Sequence, residues 1–320
     1  VRKISIQADT DIWLEYAGEK GIHGAILSYL SLKKENFYMV ENTVDGKFFV
    51  TARGWEDLSE ILKSYEELQV EIGEELIGEF LQKEEIARDF AGYYRLYEKY
   101  KSDYQIQEIL DGNVTSRQLK TCCDMGKKAS FEERFTVTEM LLEAVTERIS
   151  SFQKTDEKTE KLYGNLKLLK VFLQEKNSVE AMEQFIVSRR KALDAKICSE
   201  LLTAEEAARE EEQIRILEEY FFQLKELHIS DVAEGIEQIG ERFGNVCRLR
   251  NEKLEETKKM LEQAFSFLEE CFGEGQELLL FETGLTGDDR CSMFISNNNL
   301  LKYSIVYISL FCALCSLNGN

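Results

Sequence analysis

The chain has 320 residues and no proline, and its 60 acidic against 40 basic side chains leave a net charge of −20. Collagen-like and proline-rich ligand classes are excluded. The acidic excess repels both nucleic acid and anionic membrane surfaces, so neither is expected as a partner. The residue that most often ends helices is missing, which suits long uninterrupted ones, and the length suggests about two domains.

In chain order, Val1 to Ala8 reads as a short strand, and because it opens on Val1 with interior-strand alternation the sequence reads as a fragment of a longer protein. Helical segments over 9–32, interrupted near Gly18 to Gly21, carry Ile12, Trp13, Tyr16, Ala25, Ile26, Tyr29 and Leu30 as apolar positions. Phe37 to Val40 and Phe48 to Val50 flank Asp45-Gly46, the dipeptide that favours a tight hairpin. From Trp55 the period changes to that of a helix, with Leu58, Ile61, Leu62, Tyr65 and Leu68 on one face.

Beyond Gly73 the pattern is helical almost to Gly273. Phe90, Tyr93, Tyr94, Tyr97, Tyr100 and Tyr104 recur in steps of three and four, which predicts a buried seam rather than a stacking surface. Breaks are expected at Asp111-Gly112-Asn113 and at Thr155 to Lys158, and the acidic run Glu205 to Glu212 reads as a solvated helix face. Ile229, Val232, Ile236, Ile239, Phe243 and Val246, then Leu254, Leu261 and Leu268, form a coiled-coil-type seam; because neighbouring segments carry apolar faces of their own, one helix of an extended antiparallel bundle is the expectation. Charge then vanishes: residues 291–320 hold Lys302 alone, and Tyr303 to Leu317 is uncharged. That run is shorter than the roughly 20 residues a spanning helix needs. It reads as a membrane anchor, a buried element or an out-of-frame tail.

Chemistry-bearing residues are sparse. The eight cysteines (122, 123, 198, 247, 271, 291, 312 and 315) show no framework spacing, so reduced thiols in a cytoplasmic protein are expected. Cys312-x-x-Cys315 is a weak redox or metal signal. Of the two histidines, His23 precedes an apolar helix and is expected to cap or pack, and His228 points to nothing. There is no Walker A motif, and neither a catalytic nor a metal-ligating set emerges. Arg53, in Thr51-Ala52-Arg53-Gly54-Trp55, stands where a helix begins just after a hairpin strand, a position from which a guanidinium can reach an anion. On the residues alone, a plain surface arginine beside a helix start is the preferred reading.

Three segments carry a resemblance: Asp11-Ile12-Trp13-Leu14-Glu15-Tyr16-Ala17, Gly21-Ile22-His23-Gly24-Ala25-Ile26-Leu27-Ser28-Tyr29-Leu30, and Phe49-Val50-Thr51-Ala52-Arg53-Gly54-Trp55-Glu56-Asp57-Leu58-Ser59. Together they resemble the C-terminal lid of MoxR-type AAA+ ATPases. Ile86 to Tyr100 and Phe272 to Glu277 are similar to segments that follow the lid in a bacterial branch of that family. The resemblance implies a mainly α fold: 1–8 as the last strand of the ATPase core, 9–112 as a lid with a small hairpin, 113–290 as an acidic helical extension, and 291–320 as an apolar tail. It implies that Arg53 is the sensor-2 arginine touching ATP, with Mg2+ and most of the nucleotide held by a core upstream of Val1. It further implies a cytoplasmic, chaperone-like hexameric ring that remodels a client, with a von Willebrand factor A-domain protein as partner. This chain alone would not hydrolyse ATP. Two positions depart from the family: Gly24 and Ala52 stand where it often has proline. A non-catalytic acidic helical scaffold is the competing reading.

Overall fold

A computed structural model describes residues 8–43, 46–298 and 300. The described residues are mainly helical, with one two-stranded antiparallel hairpin. The expected strand 1–8 lies almost wholly outside them, as do Cys312, Cys315 and the uncharged run 303–317.

Helix α1 (Thr10–Lys20) begins because the Asp9 carboxylate accepts from the Asp11 and Ile12 N–H groups, and it ends at Gly21 with φ 66°. Helix α2 (Gly24–Leu32) follows at once. Strands β1 (Met39–Thr43) and β2 (Gly46–Val50) pair with Val40 opposite Phe49, the hairpin that Asp45-Gly46 predicts. Helix α3 (Ala52–Glu67) starts straight after β2. Helices α4 (Glu74–Phe80), α5 (Glu84–Asp103) and α6 (Ile106–Asp111) follow, the last stopped by left-handed Gly112 at the expected break.

Helix α7 (Ser116–Gly126) opens with a Thr115–Gln118 capping box and precedes α8 (Phe131–Lys176). No break occurs at 155–158. Thr155 donates to the Ser151 carbonyl and Thr159 to the Thr155 carbonyl, so the polar run satisfies itself along an unbroken helix. Helices α9 (Ala181–Cys198), α10 (Ala204–Glu226), α11 (Val232–Phe272), α12 (Gln276–Gly287) and α13 (Asp289–Asn297) complete the order.

The chain divides into two units, one within 1–146 and 260–320 and the other 147–259, so the division falls inside α8 and α11. The expected 112/113 boundary lies at the end of α6. In the first unit, Tyr29, Trp55 and Phe90 form an aromatic knot with ring centroids 5.1–5.8 Å apart, and Trp55 Nε1 donates to the Phe37 carbonyl at 3.1 Å. Trp55, Leu58 and Leu62 are fully buried, whereas Leu68 of the same predicted stripe is 70% exposed beyond the end of α3. Ile12, expected inside, is 66% exposed.

The second unit has its own core, in which Leu169, Leu173, Met182, Phe185, Leu217, Leu224 and Ile239 pack together. Arg190–Glu218 and Lys196–Glu210 pairs show α9 and α10 running antiparallel. Asp156–Arg250 and the stacked Tyr163–Phe243 rings pair α8 with α11 in the same sense. Of the predicted α11 seam, Ile239, Leu261 and Leu268 are buried, while Phe243, Val246 and Leu254 are only half-buried.

The thiol expectation fails at one pair. Cys123 of α7 and Cys271 of α11 are disulfide-bonded, although 148 positions separate them in sequence. Cys122, Cys198, Cys247 and Cys291 are free. Folding brings α7 against the C-terminal end of α11 so closely that a Cβ at Gly126 would lie 2.7 Å from the Phe272 ring. Cysteine spacing carries no trace of that proximity.

Candidate functional site

Arg53 occupies the first turn of α3. The chain leaves β2 extended, Thr51 caps the helix by accepting the Gly54 N–H at 3.2 Å, and the next residues enter the α conformation. Gly54 is dictated by its surroundings: a Cβ there would stand 2.7 Å from the Phe80 carbonyl oxygen at the end of α4. Trp55 then anchors the turn in the aromatic knot. Between these fixed neighbours the Arg53 side chain is 84% exposed, and its Nε approaches Asp57 Oδ2 at 3.4 Å. An exposed pair one turn apart contributes only about 0.3–0.5 kcal/mol. The guanidinium is therefore available to an anion beside the positive end of a helix. These residues fit one phosphate contact. They supply no set of oxygen ligands for Mg2+, and among the described residues no group of three or more His, Cys, Asp or Glu could hold a metal ion.

A second, buried polar cluster gathers around the start of α2. His23 caps that helix through Nδ1, which accepts the Ala25 N–H at 3.1 Å, so Nε2 carries the proton that reaches Glu66 Oε1 at 2.8 Å. The His23 N–H donates to Ser59 Oγ, and Tyr94 donates to the same Glu66 oxygen at 3.0 Å. Burial works to raise the Glu66 carboxyl, but His23, Lys101 and the Tyr94 hydroxyl outweigh it and bring it down to about 2. His23 thus does what its place before an apolar helix predicts. His228 belongs to the other unit, in the turn after α10, with Nδ1 at 2.9 Å from the Glu226 carbonyl.

The tyrosine stripe is the buried seam its period predicts, with Phe90, Tyr94, Tyr97 and Tyr104 buried. Its hydroxyls explain the choice of tyrosine, because each buried O–H finds an acceptor. Tyr94 reaches Glu66, Tyr97 reaches Glu143 at 3.2 Å, and Tyr104 reaches Glu133 at 2.8 Å. Tyr93 donates to Ser28 Oγ at 2.8 Å and lies 3.0 Å from Thr136 Oγ1. On the α2 side, Tyr29 donates to Asp89, whose carboxyl Lys33 also holds; burial works to raise it, yet these contacts keep it below its ordinary range. Burial and the neighbouring carboxylates push Tyr94, Tyr97 and Tyr104 well above the usual phenol range.

Glu143 also reaches Gly24. A Cβ at position 24 would overlap the Glu143 carboxylate, which sits against the first residue of α2. No acid within α2 occupies its own first turn, so this carboxylate from α8 stands where the dipole favours one. Sequence reading missed Glu66, Glu133, Glu139 and Glu143. The signal that was available is the tyrosine period itself, since a buried row of hydroxyls demands a matching row of acceptors. Among the described residues no helix is long and apolar enough to cross a membrane. No family model matches the chain, and neither a curated protein nor a solved structure matches it.

Proposed function

We propose that this chain is the C-terminal part of a MoxR-like AAA+ ATPase, supplying the lid and a helical extension. A P-loop core upstream of Val1 would bind MgATP and hydrolyse it within a hexameric ring. The observation that carries the reading is the placement of Arg53: exposed, at the first turn of α3, directly after the hairpin, and with only an exposed Asp57 contact. From there the guanidinium would touch the terminal phosphates, stabilise the charge that develops on the transferred phosphoryl group, and register its departure. The lid would pass that change to the extension, which would engage a client or a von Willebrand factor A-domain partner in the cytoplasm. The 320-residue chain alone would bind nucleotide weakly and turn none over. Extending the reading frame upstream tests the proposal: a P-loop about 200 residues before Val1, roughly one domain length, supports it, and continuous coding sequence without one refutes it.

The acidic scaffold is the second reading, and one feature favours it. Val187 of α9 and Phe222 of α10 are exposed across one helix pair, between the Arg190–Glu218 and Lys225–Glu183 ion pairs. An apolar centre with a charged rim is how a protein-binding patch is built. The same upstream sequence separates the two readings.

A further inference from the structure

Helix α7 is thinly attached. Its buried residues are Cys122, Cys123 and Gly126, with no aliphatic or aromatic side chain fully covered. Gln118 Nε2 donates to Gln105 Oε1 at 3.0 Å, and the Cys122 thiol lies 3.6 Å from the Tyr104 carbonyl oxygen. Gly126 lies against the Phe272 ring, and the Cys123–Cys271 bond completes the attachment. At 11 residues the helix is shorter than the roughly 12–15 that hold in water unaided, so it depends on these contacts. The chain is non-helical on both sides of it: left-handed Gly112 and 113–115 precede it, and 127–130 separate it from α8. Breaks at both ends allow α7 to move as a unit without pulling on its neighbours.

Next to the bond stands a free cysteine, Cys122. It is 2% exposed, and burial pushes its thiol above the ordinary range, so with α7 docked it is both covered and protonated. The bonded pair is covered too, Cys123 being 6% and Cys271 2% exposed. A covalent tie matters most where the other contacts are few, because it keeps two surfaces at a high effective concentration. That is the situation of α7 on the C-terminal end of α11.

We propose that Cys123–Cys271 is a redox latch: oxidised, it holds α7 against the end of α11; opened by a dithiol, it lets α7 swing away between its two breaks and uncovers the Cys122 thiol. The proposal does not rest on the ATPase reading. In the opening step one thiolate of the dithiol attacks Cys123 Sγ, on the less covered residue of the pair. The Sγ–Sγ bond breaks, and Cys271 leaves as a thiolate that takes up a proton. The second thiolate of the dithiol then displaces Cys123 from the mixed disulfide, and Cys123 is protonated in turn. The cysteine pair has gained two electrons and two protons, and the dithiol ends as a disulfide. An oxidant of the disulfide class reverses both steps.

The test is pulsed alkylation of the 320-residue chain, oxidised and again after anaerobic treatment with dithiothreitol and its removal. Tandem mass spectrometry of the peptides separates Cys122 from Cys123. Cys291, fully buried in the same unit with its thiol 3.7 Å from Thr146 Oγ1, is the internal reference for any wider opening. The expected result is Cys122 labelling at least about tenfold faster after reduction, with Cys291 unchanged. A Cys123→Ala/Cys271→Ala chain should label Cys122 at the reduced rate with no reductant; if it does not fold, the parent decides alone. Cys122 protection that survives reduction marks a plain structural staple and overturns the proposal. Labelling of Cys122 and Cys291 together, which is opening of the whole unit, overturns it too, as does a bond that dithiothreitol opens only in denaturant.

Discussion

Removing the Cys123–Cys271 bond should destabilise the first unit by several kilocalories per mole. The bond closes a loop of 148 residues. In the chain-entropy description, cross-linking removes 2.1 + 1.5R ln n cal/mol/K from the denatured ensemble, which at this loop length is about 17 cal/mol/K, or about 5 kcal/mol at 25 °C. Both cysteines are almost fully buried, so a Cys123→Ala/Cys271→Ala chain also loses sulfur packing next to the Gly126–Phe272 contact. The assay suits the architecture, because Trp13 and Trp55 are the chain's two tryptophans and both lie in the unit that the bond closes. Urea unfolding followed at those residues should show the oxidised chain shifted up by about 2–3 M relative to the double-alanine chain, taking a slope of about 2 kcal/mol/M. Dithiothreitol should move the parent towards the variant and leave the variant where it is. Coincident midpoints for all three would refute the reasoning, as would thiol alkylation of the unfolded, unreduced chain that labels Cys123 and Cys271 fully.

Two further expectations concern the geometry around the proposed site and the long helix. Gly54→Ala forces a Cβ against the backbone oxygen of Phe80, which cannot swing aside, and should cost about 1–3 kcal/mol in thermal or urea unfolding. Gly24→Ala meets only the far end of the Glu143 side chain and should cost less, its signature being a displaced Tyr97–Glu143 contact by NMR; the reverse order of the two costs would contradict the assignment. Lys158→Pro lies inside unbroken α8 and should cost about 3 kcal/mol or more. A chain that tolerates it with no loss of helical circular dichroism would restore the break expected at Thr155 to Lys158.

What was readable from the sequence was local. The hairpin followed from Asp45-Gly46, the end of α6 from Gly112, the cap from His23, and the buried seam from the spacing of Phe90, Tyr94, Tyr97 and Tyr104. Each depends on a few neighbouring residues, and each states its geometry in its own period or turn chemistry. What failed had other causes, several of them contacts far along the chain. Past Thr155 the hydroxyls of α8 bond back to the helix, so a polar run that from composition alone looks like a breaker cluster is accommodated without a break. Ile12 and Leu68 have the right residue type and the right phase, yet among the described residues both are exposed. The Cys123–Cys271 bond and the Glu143 seat at Gly24 join segments more than a hundred positions apart.

At Gly24, where the resemblance leads one to expect proline, a side chain would meet the carboxylate end of Glu143. Proline would suit the first position of α2, but its ring would occupy the space of the Glu143 carboxylate. Arg53 was legible only as an exposed cation at a helix start, and the structure places it there; its role beyond that rests on the proposal.

The most direct measurement of that role is steady-state ATP turnover by the proposed longer enzyme, an upstream P-loop core joined to this chain, with and without Arg53→Ala. Because the side chain is 84% exposed and its Asp57 contact is long, the substitution should leave the thermal midpoint unchanged. Loss of one positioned phosphate contact should lower kcat on the order of 100-fold. Turnover within about twofold of the parent, well below what a positioned charge contributes, would return Arg53 to an ordinary surface arginine and remove the basis of the ATPase reading.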